Sequence, residues 1–528
     1  MNKPFFITTA IDYVNGQPHL GHAYEKIVAD VIARSRRSLG QETFFLTGLD
    51  EHGQKVQQAA QAEGKSPQAY CDELAADWQA FAKKLELTND DFVRTTDPRH
   101  KEFVQAILAK LHAAGHFYKA GYTGFYSAKE ETFLTTKDRR PDGTFDPSYG
   151  EVVELQEDNY YFKLKAHQQW LIDYLEANPS FVQPDYRRNE VLGFLKNNEL
   201  EDLCITRPAA RLNWGIPLPF DKDFVTYVWF DALVNYISIP AAHGDTTVLS
   251  ALPPSPVTCL PAEASAKAGH PSLSLWPADI HVVGKDIVKF HAVYWPIMLK
   301  AMGLPLPKPI LVHGWWQKDG AKISKSTGNI VDPIVVIDEW GLDAFRFYVL
   351  RELDIGPDGN WTDAGFKSRY SAELANGLGN LVNRSLSMLK RYRNSVAPAK
   401  HDELATAAAK AADETRALFK QNQLQAALQN IWCLVDRANK YVDQTAPFKL
   451  AKDPAQAKRL DEVLYNLTET CRVLAVLLWP FLPGTAVKIY AQLGLSGAPD
   501  KFDAATWGGL PAGHKIGEPA PLFPRKDV

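Results

Sequence analysis

The sequence predicts an α/β protein: a parallel-sheet domain, split by an α+β insertion and followed by an all-α helical bundle. Three observations predict it. The first stretch reads strand, helix, strand, the pattern of a parallel βαβ unit. Buried-strand runs return after residue 217, beyond a stretch of different texture. From about Ala364 onward strand patterns vanish and long helical patterns take over.

The elements follow in order. FFITTA, from Phe5 to Ala10, is a short apolar, β-rich run, and Asn15, Gly16 and Pro18 form a polar loop after it. HLGHAYEKIVADVIARSRRSLG then places Ile27, Val28, Val31 and Ile32 on one helical face, and Gly40 stops the helix. TFFLTG, Thr43 to Gly48, is the next buried strand. Helical patterns continue to about Gly115, one with Ser66 as N-cap and Pro67 as first residue. Residues from about Phe117 to Pro217 carry turns such as RRPDGTFDPSYGE and aromatic strands such as NYYFKL. The sheet signal resumes in TYVWFDALV, DIHVVG and PILVHGWW, each read as a strand end feeding a loop. Residues 241–276, rich in Ala, Pro and Ser, read as a surface loop. The expected divisions are 1–116 and 218–312 for the halves of the sheet domain and 117–217 for the insertion. A region at 313–363 that holds the KISKS loop and a stem-contact segment, and a bundle at 364–528, complete the chain.

At 528 residues the chain has room for about three or four structural units. Its net charge of -4 neither announces nor excludes a nucleic-acid partner, because phosphate contacts need a local basic patch. The five cysteines form no CxxC pair, which argues against a disulfide framework and a Cys-rich zinc knuckle and for a reducing compartment. The N-terminus lacks a signal-peptide core, and the most apolar run, Val473 to Phe481, is broken by Pro480 and far shorter than a membrane span. A cytosolic protein without membrane attachment is expected. No P-loop is present, so a nucleotide, if bound, is held by other means.

Two peptides carry chemistry. HLGH, residues 19–22, opens the first predicted helix. A helix N-terminus offers N–H donors and partial positive charge to phosphate, and two imidazoles there add hydrogen bonds. Gly21 leaves its backbone open to an adenine ring. Taken alone, HxGH is more often a pair of capping or surface histidines. KISKS, residues 322–326, lies in the polar, Gly-containing stretch QKDGAKISKSTGN. Two ammonium groups on a loop can close over a triphosphate and neutralise charge as the α-phosphorus is attacked. Taken alone, such a run is usually a solvated loop.

Together and in this order, HLGH and KISKS resemble the paired HIGH and KMSKS motifs of class I aminoacyl-tRNA synthetases, with Ile323 in place of Met. TAIDYVNGQPHLGHAYE, LTGLDEHG, TYVWFDALVNY, HVVGKDIVKFHAVYWPIML and HGWWQKDGAKISKSTGN are similar to the methionyl family, and the resemblance covers nearly the whole chain. It implies a Rossmann-like catalytic domain, a connective-peptide insertion and an anticodon-binding bundle. It also implies activation of L-methionine with ATP and Mg²⁺, then transfer to tRNA(Met). His19, His22, Lys322 and Lys325 are the implied catalytic groups, and ATP contacts would add Gly21, Glu25, Gly284 and Asp286. The implied methionine pocket is Ala10, Ile11, Tyr13, Asp50, Trp229, Ala232, Leu233, Tyr236, Ile287, His291 and Trp295. Aromatic walls suit a polarisable thioether, and Asp50 at a strand's carboxyl end suits the substrate ammonium. Each aromatic residue serves equally well as plain core.

For the anticodon, the resemblance implies Asn380 and Arg384 at i and i+4, with Phe448 where the family usually carries Trp. Phe448 keeps a stacking face and loses the indole N–H. Lys390, Arg391 and Arg393 form a basic run nearby, suited to tRNA phosphates or to a solvated helix end. The insertion carries no Cys-based knuckle, so no structural zinc is expected there. The chain ends before any dimerising oligonucleotide-binding domain, so a monomer is expected. The rival readings are a class I synthetase for another amino acid, a small-molecule adenylyltransferase and a catalytically degenerate tRNA-binding protein.

Overall fold

A computed structural model describes residues 3–14, 16–127, 132–134, 138–252, 273–323 and 329–526. The chain divides into two compact units. The first takes residues 1–18, 44–83 and 89–312, and the second takes 19–43, 84–88 and 313–528.

The first unit is built on a sheet of continuous apolar strands. Strands β1 (Phe5–Thr9) and β3 (Thr43–Asp50) are buried at every residue. So are β12 (Ile280–Gly284) and β13 (Ile310–His313). Burial on both faces is what a parallel sheet with covered faces requires. With β2 (Asp12–Tyr13), β4 (Asp91–Arg94) and β8 (Val182–Gln183), the order is β2-β3-β1-β12-β13-β8, and β4 adds beside β3. The β1–β12, β2–β3, β3–β4 and β8–β13 ladders are parallel. β8 lies within residues 117–217, so that stretch returns one strand to the main sheet. Gly48 permits the close approach of β3 and β4: a Cβ there would stand 2.1 Å from the Val93 carbonyl oxygen.

Residues 117–217 otherwise build a separate antiparallel sheet, with strands β5 (Phe117–Ser127), β6 (Thr132–Leu134), β7 (Val152–Phe162) and β9 (Leu203–Cys204) in the order β6-β5-β7-β9. β5 and β7 pair along their full length, from Phe117 opposite Phe162 to Ser127 opposite Val152. Phe117 and Phe162 share one hydrophobic core with Phe6, Phe103, Phe230 and Trp295. Insertion and main sheet are therefore packed by the same apolar cluster.

TYVWFDALV differs from the expected strand. Only Phe224–Thr226 is extended (β11), pairing antiparallel with β10 (Thr206–Pro208), and helix α7 runs from Val228 to Ala242. Every α7 residue except Trp229 is buried. A helix buried on nearly every side lacks the exposed face that marks surface helices, so its largely apolar sequence reads like a buried strand. The expected loop at 241–276 begins with the end of α7 and a four-residue helix, Thr246–Leu249, and residues 253–272 lie outside the described residues.

The second unit holds helix α1 (Leu20–Ser38), a small sheet and a series of helices. Strands β14 (Trp316–Lys318) and β15 (Ala321–Lys322) form a hairpin, and β16 (Gly359–Trp361) lies parallel beside β14. The hairpin turns on Asp319 and Gly320, both at positive φ (50° and 76°), an Asp-Gly pair suited to a two-residue turn. The long helices that follow include Asn380–Arg393, Ala405–Lys420, Leu424–Thr445 and Ala457–Leu478. No helix among the described residues is long and apolar enough to cross a membrane.

A buried ionic cluster ties α1 to this unit. The fully buried Asp30 carboxylate accepts from Arg34 Nε and Arg346 Nη2, each at 2.8 Å, and from Thr88 N and Oγ1 at 2.8 and 2.7 Å. Arg346, also fully buried, donates onward to the Phe481 and Pro480 carbonyls. Burial acts to raise the Asp30 pKa, but Arg346 and Arg34 hold it below its ordinary 3.8. Removing one partner of a buried pair strands the other charge. Asp30→Asn is therefore expected to destabilise the protein by about 3–5 kcal/mol at neutral pH in guanidinium unfolding. A depressed carboxylate pKa stabilises above the unfolded value and stops doing so as pH falls through the folded value. The gap between wild type and variant should accordingly close in strong acid.

Candidate active site

The carboxyl ends of the parallel strands gather the expected methionine-pocket residues of the first unit. Ala10 and Ile11 follow β1, and the Ala10 N–H continues the ladder to the Val282 carbonyl at 3.1 Å. Tyr13 on β2 stands in register with Asp50 on β3. Asp50 is buried, and its carbonyl accepts from Val14 N at 3.0 Å. Gly284 ends β12, and Asp286 after it is exposed. This is the edge at which open α/β sheets bind ligands.

α7 and the segment after β12 supply the walls. Ala232, Leu233 and Tyr236 are buried on α7. His291 lies in a π-helical turn, Phe290–Tyr294, which runs directly into the helix Trp295–Met302. Such turns add a residue to a helix and often mark functional sites. The Tyr236 hydroxyl meets His291 Nε2 at 2.8 Å, and His291 Nδ1 meets the Ile287 carbonyl at 3.0 Å. A carbonyl only accepts, so in the neutral ring Nδ1 carries the proton and Tyr236 donates to Nε2. Trp295 is fully buried with its ring 5.9 Å from Tyr236, and Trp229 stacks on Phe290 at 3.6 Å. All eleven pocket residues thus fall in the first unit.

Behind the walls stand polar groups that no sequence motif singles out. His281, fully buried on β12, bridges Thr8 Oγ1 at 2.7 Å and the Trp295 indole N–H at 3.3 Å. Because the indole only donates, Nε2 accepts and Nδ1 carries the proton toward Thr8. Burial pushes the His281 pKa well below its ordinary value, with His291 acting in the same direction. A histidine inside an otherwise apolar strand is the one sequence signal for it. Phe290 and the residues around Asp231 carry no comparable signal.

The nucleotide motifs fall in the second unit. His19 is the N-cap of α1: its Nδ1 accepts from Gly21 N at 3.1 Å, and His22 Nδ1 accepts from His19 N at 3.2 Å. The rings stack with centroids 3.7 Å apart. With both Nδ1 atoms accepting, each neutral ring carries its proton on Nε2. Capping and ligand contact are thus compatible, because capping uses one nitrogen and fixes the donor on the other. A Cβ at Gly21 would meet the His19 ring at 3.0 Å, so the glycine also admits the cap.

Glu25 is buried beside Lys26 Nζ at 2.8 Å and His313 Nε2 at 3.1 Å. Burial acts to raise its pKa, but Lys26 and His313 hold the carboxyl down at about 2. Lys322 lies on β15, paired with Gln317, so its backbone is strand where a loop is expected. A tight Asp-Gly turn just before it accounts for the difference. Lys325 lies outside the described residues. Beyond the undescribed residues, Asn329 Nδ2 donates to the Lys318 carbonyl on β14 at 3.1 Å.

Asn380 opens the helix Asn380–Arg393, directly after a π-helical stretch, Tyr370–Gly379. Arg384, half-buried one turn on, lies 3.7 Å from Asp443 near the end of the helix Leu424–Thr445, and the exposed Phe448 comes shortly after. The three expected anticodon residues therefore sit around neighbouring helix ends. In the basic run, Lys390 pairs with Glu518 and Arg393 with Asp461, so these two cations are neutralised within the protein.

Comparison with known proteins accords with this geometry. The family model described as tRNA synthetases class I (M) matches residues 5–145 and 148–386. The anticodon binding domain of methionyl tRNA ligase matches 395–527. The chain is similar to the methionine–tRNA ligase of Bacillus subtilis, 41% identical over 100% of this chain and 78% of that protein. The Clostridium tetani methionine–tRNA ligase is 40% identical over 100% of this chain and 79% of that protein. Among solved structures, Mycobacterium tuberculosis methionyl-tRNA synthetase in complex with methionyl-adenylate matches with TM-score 0.86 at 36% identity, over 99% of this chain and 100% of that one. With two family models spanning nearly all of its length and full-length relatives at about 40% identity, the chain belongs to the methionyl-tRNA synthetases of class I.

Proposed function

We propose that the chain joins L-methionine to tRNA(Met) in two steps. The methionine carboxylate attacks the α-phosphorus of MgATP, forming methionyl-adenylate and releasing pyrophosphate. A terminal ribose hydroxyl of the tRNA then attacks the adenylate carbonyl, forming the ester and releasing AMP. The observation that carries this reading is the pocket at the strand ends, where a buried carboxylate, Asp50, and aromatic walls from Tyr236, Trp229 and Trp295 belong to one unit. No covalent enzyme intermediate is required, so catalysis is positioning and charge stabilisation.

In this reading Asp50 holds the methionine ammonium, while Ala10, Ile11, Tyr13, Ala232, Leu233, Ile287 and His291 complete the pocket. His19, Gly21, His22 and Glu25 at the start of α1 serve the nucleotide, with Gly284 and Asp286, and Lys322 and Lys325 serve the triphosphate. Asn380, Arg384 and Phe448 read the anticodon. The catalytic halves lie at 1–116 and 218–312, and the insertion at 117–217 holds no zinc. Supporting the last point, Cys204 is the only cysteine there. Its sulfur accepts from Arg207 Nη1 at 3.3 Å, a poor start for a site that needs four ligands.

Pyrophosphate exchange across the standard amino acids should show methionine preferred by at least about 10²-fold in kcat/KM, the range a tuned pocket gives. A different preferred amino acid would overturn the assignment. Asp50→Asn is expected to raise the methionine KM roughly 10- to 150-fold, corresponding to about 1.5–3 kcal/mol for a charged hydrogen bond, with the ATP KM little changed. Phe448→Ala should lower kcat/KM for tRNA charging about 5- to 150-fold, the equivalent of about 1–3 kcal/mol of base stacking, without affecting pyrophosphate exchange. Phe448→Trp should retain charging.

A further inference from the structure

Asp231 occupies an unusual place. It lies in the first turn of α7, two residues after Trp229 and immediately before Ala232, and it is fully buried. A carboxylate there is costly unless every lone pair has work. Each oxygen accepts one imidazole N–H: His52 Nδ1 approaches Oδ2 at 2.6 Å and His100 Nε2 approaches Oδ1 at 2.7 Å. His100, on helix α4 (Pro98–Ala113), reaches Ser238 Oγ with its other nitrogen at 2.8 Å. Ser238 lies seven residues beyond Asp231, two turns along the same face of α7. One histidine thus grips the helix at two points and resists its rotation, while the other ties it to a different segment.

That segment is the turn after β3. His52 stands two residues past Asp50, and the residue between them is held separately. Glu51 is fully buried, takes Arg94 Nε at 2.6 Å and the Thr96 hydroxyl on its carboxylate, and donates its N–H to Thr95 Oγ1 at 2.9 Å. The Trp214 indole caps the Glu51 carbonyl at 2.5 Å, and its ring meets the His52 ring edge-on at 5.4 Å. Glu51 therefore fixes the turn to β4 and to the end of the insertion. The His52–Asp231 bond fixes it to the helix that carries Trp229, Ala232, Leu233 and Tyr236.

We propose that Asp231, through His52, is a positioning residue for methionine: it sets the separation between Asp50 and the α7 side chains that surround the thioether. The inference rests on the reading of Asp50 as the ammonium partner. An amino acid held at both ends is selected by length, and a pocket whose ends are tied together rejects a side chain one methylene longer. Untying them relaxes that selection without touching the nucleotide.

The experiment is pyrophosphate exchange with the full chain, using methionine and ethionine, for His52→Ala, His52→Asn and Asp231→Asn. His52→Ala removes the donor, whereas the side-chain amide of His52→Asn can place an N–H where Nδ1–H stands. The expected result is at least a tenfold rise in methionine KM and a several-fold loss of preference over ethionine for His52→Ala and Asp231→Asn. The ATP KM should stay within about twofold, and His52→Asn should recover most of the loss. A methionine KM within twofold of wild type in His52→Ala overturns the proposal, as does an equal rise in the methionine and ATP KM values. Should His52→Ala not fold, Asp231→Asn, which keeps the side-chain shape, decides: a shift in the methionine-to-ethionine ratio supports the proposal and an unchanged ratio overturns it. Asp50→Asn separates the two layers. If it impairs methionine use while His52→Ala does not, the positioning role falls and the pocket reading stands. If it leaves the methionine KM unchanged, the pocket reading itself falls.

Discussion

The parallel ladder between Phe5–Thr9 and Ile280–Gly284 is the constraint on which the rest depends. It sets Ile7 opposite Ile280 and Thr9 opposite Val282, joining segments more than half the chain apart. The residues proposed for the methionine pocket lie just beyond the strand ends: Ala10 and Ile11 past the first strand, and Ile287, His291 and Trp295 past Gly284 at the end of the other. A slip in register would displace these sets relative to one another and turn the buried His281 out of its contacts with Thr8 and Trp295. The entropy of closing so long a loop is offset by strands that bury both faces, and by an apolar cluster that takes in the insertion as well as the sheet.

Much of this was legible because it is local. Continuous apolar runs announced Phe5–Thr9, Thr43–Asp50 and Ile280–Gly284, and the motif peptides announced the helix start at His19 and the carboxylate at Asp50. The start of α7 was not legible, since a helix buried on nearly every side shows no solvent-facing polar side to set it apart from a buried strand. The Asp231 cluster was not legible either. Its members stand far apart in sequence, at His52, His100, Asp231 and Ser238, and each alone looks like an ordinary polar residue. Lys322 shows a smaller failure: a Lys/Ser run predicts a loop, but a two-residue Asp-Gly turn had already set the chain back into a strand.

HLGH shows that a capping role occupies only part of an imidazole's hydrogen-bonding capacity. An imidazole has two nitrogens, and the backbone of α1 takes one from each ring. That contact orders the rings, stacks them and determines which nitrogen bears hydrogen. An aspartate cap would satisfy the same backbone groups but would offer an anion no donor. The phosphate contact proposed for this N-terminus would use the Nε2–H that the cap sets on each ring.

The same helix has another property, at its opposite end. Arg36 there donates to the Lys420 carbonyl and to Asn422 Oδ1, just past the helix Ala405–Lys420, while Asp30 grips Arg346 midway along. Nineteen residues make a stiff rod roughly 28 Å long, at about 1.5 Å per residue. One tip is clasped by the bundle, the middle is riveted by a salt link, and the other tip bears the paired imidazoles. A rod fastened at its middle and its far tip leaves the imidazole pair little freedom to tilt against the helices that hold it.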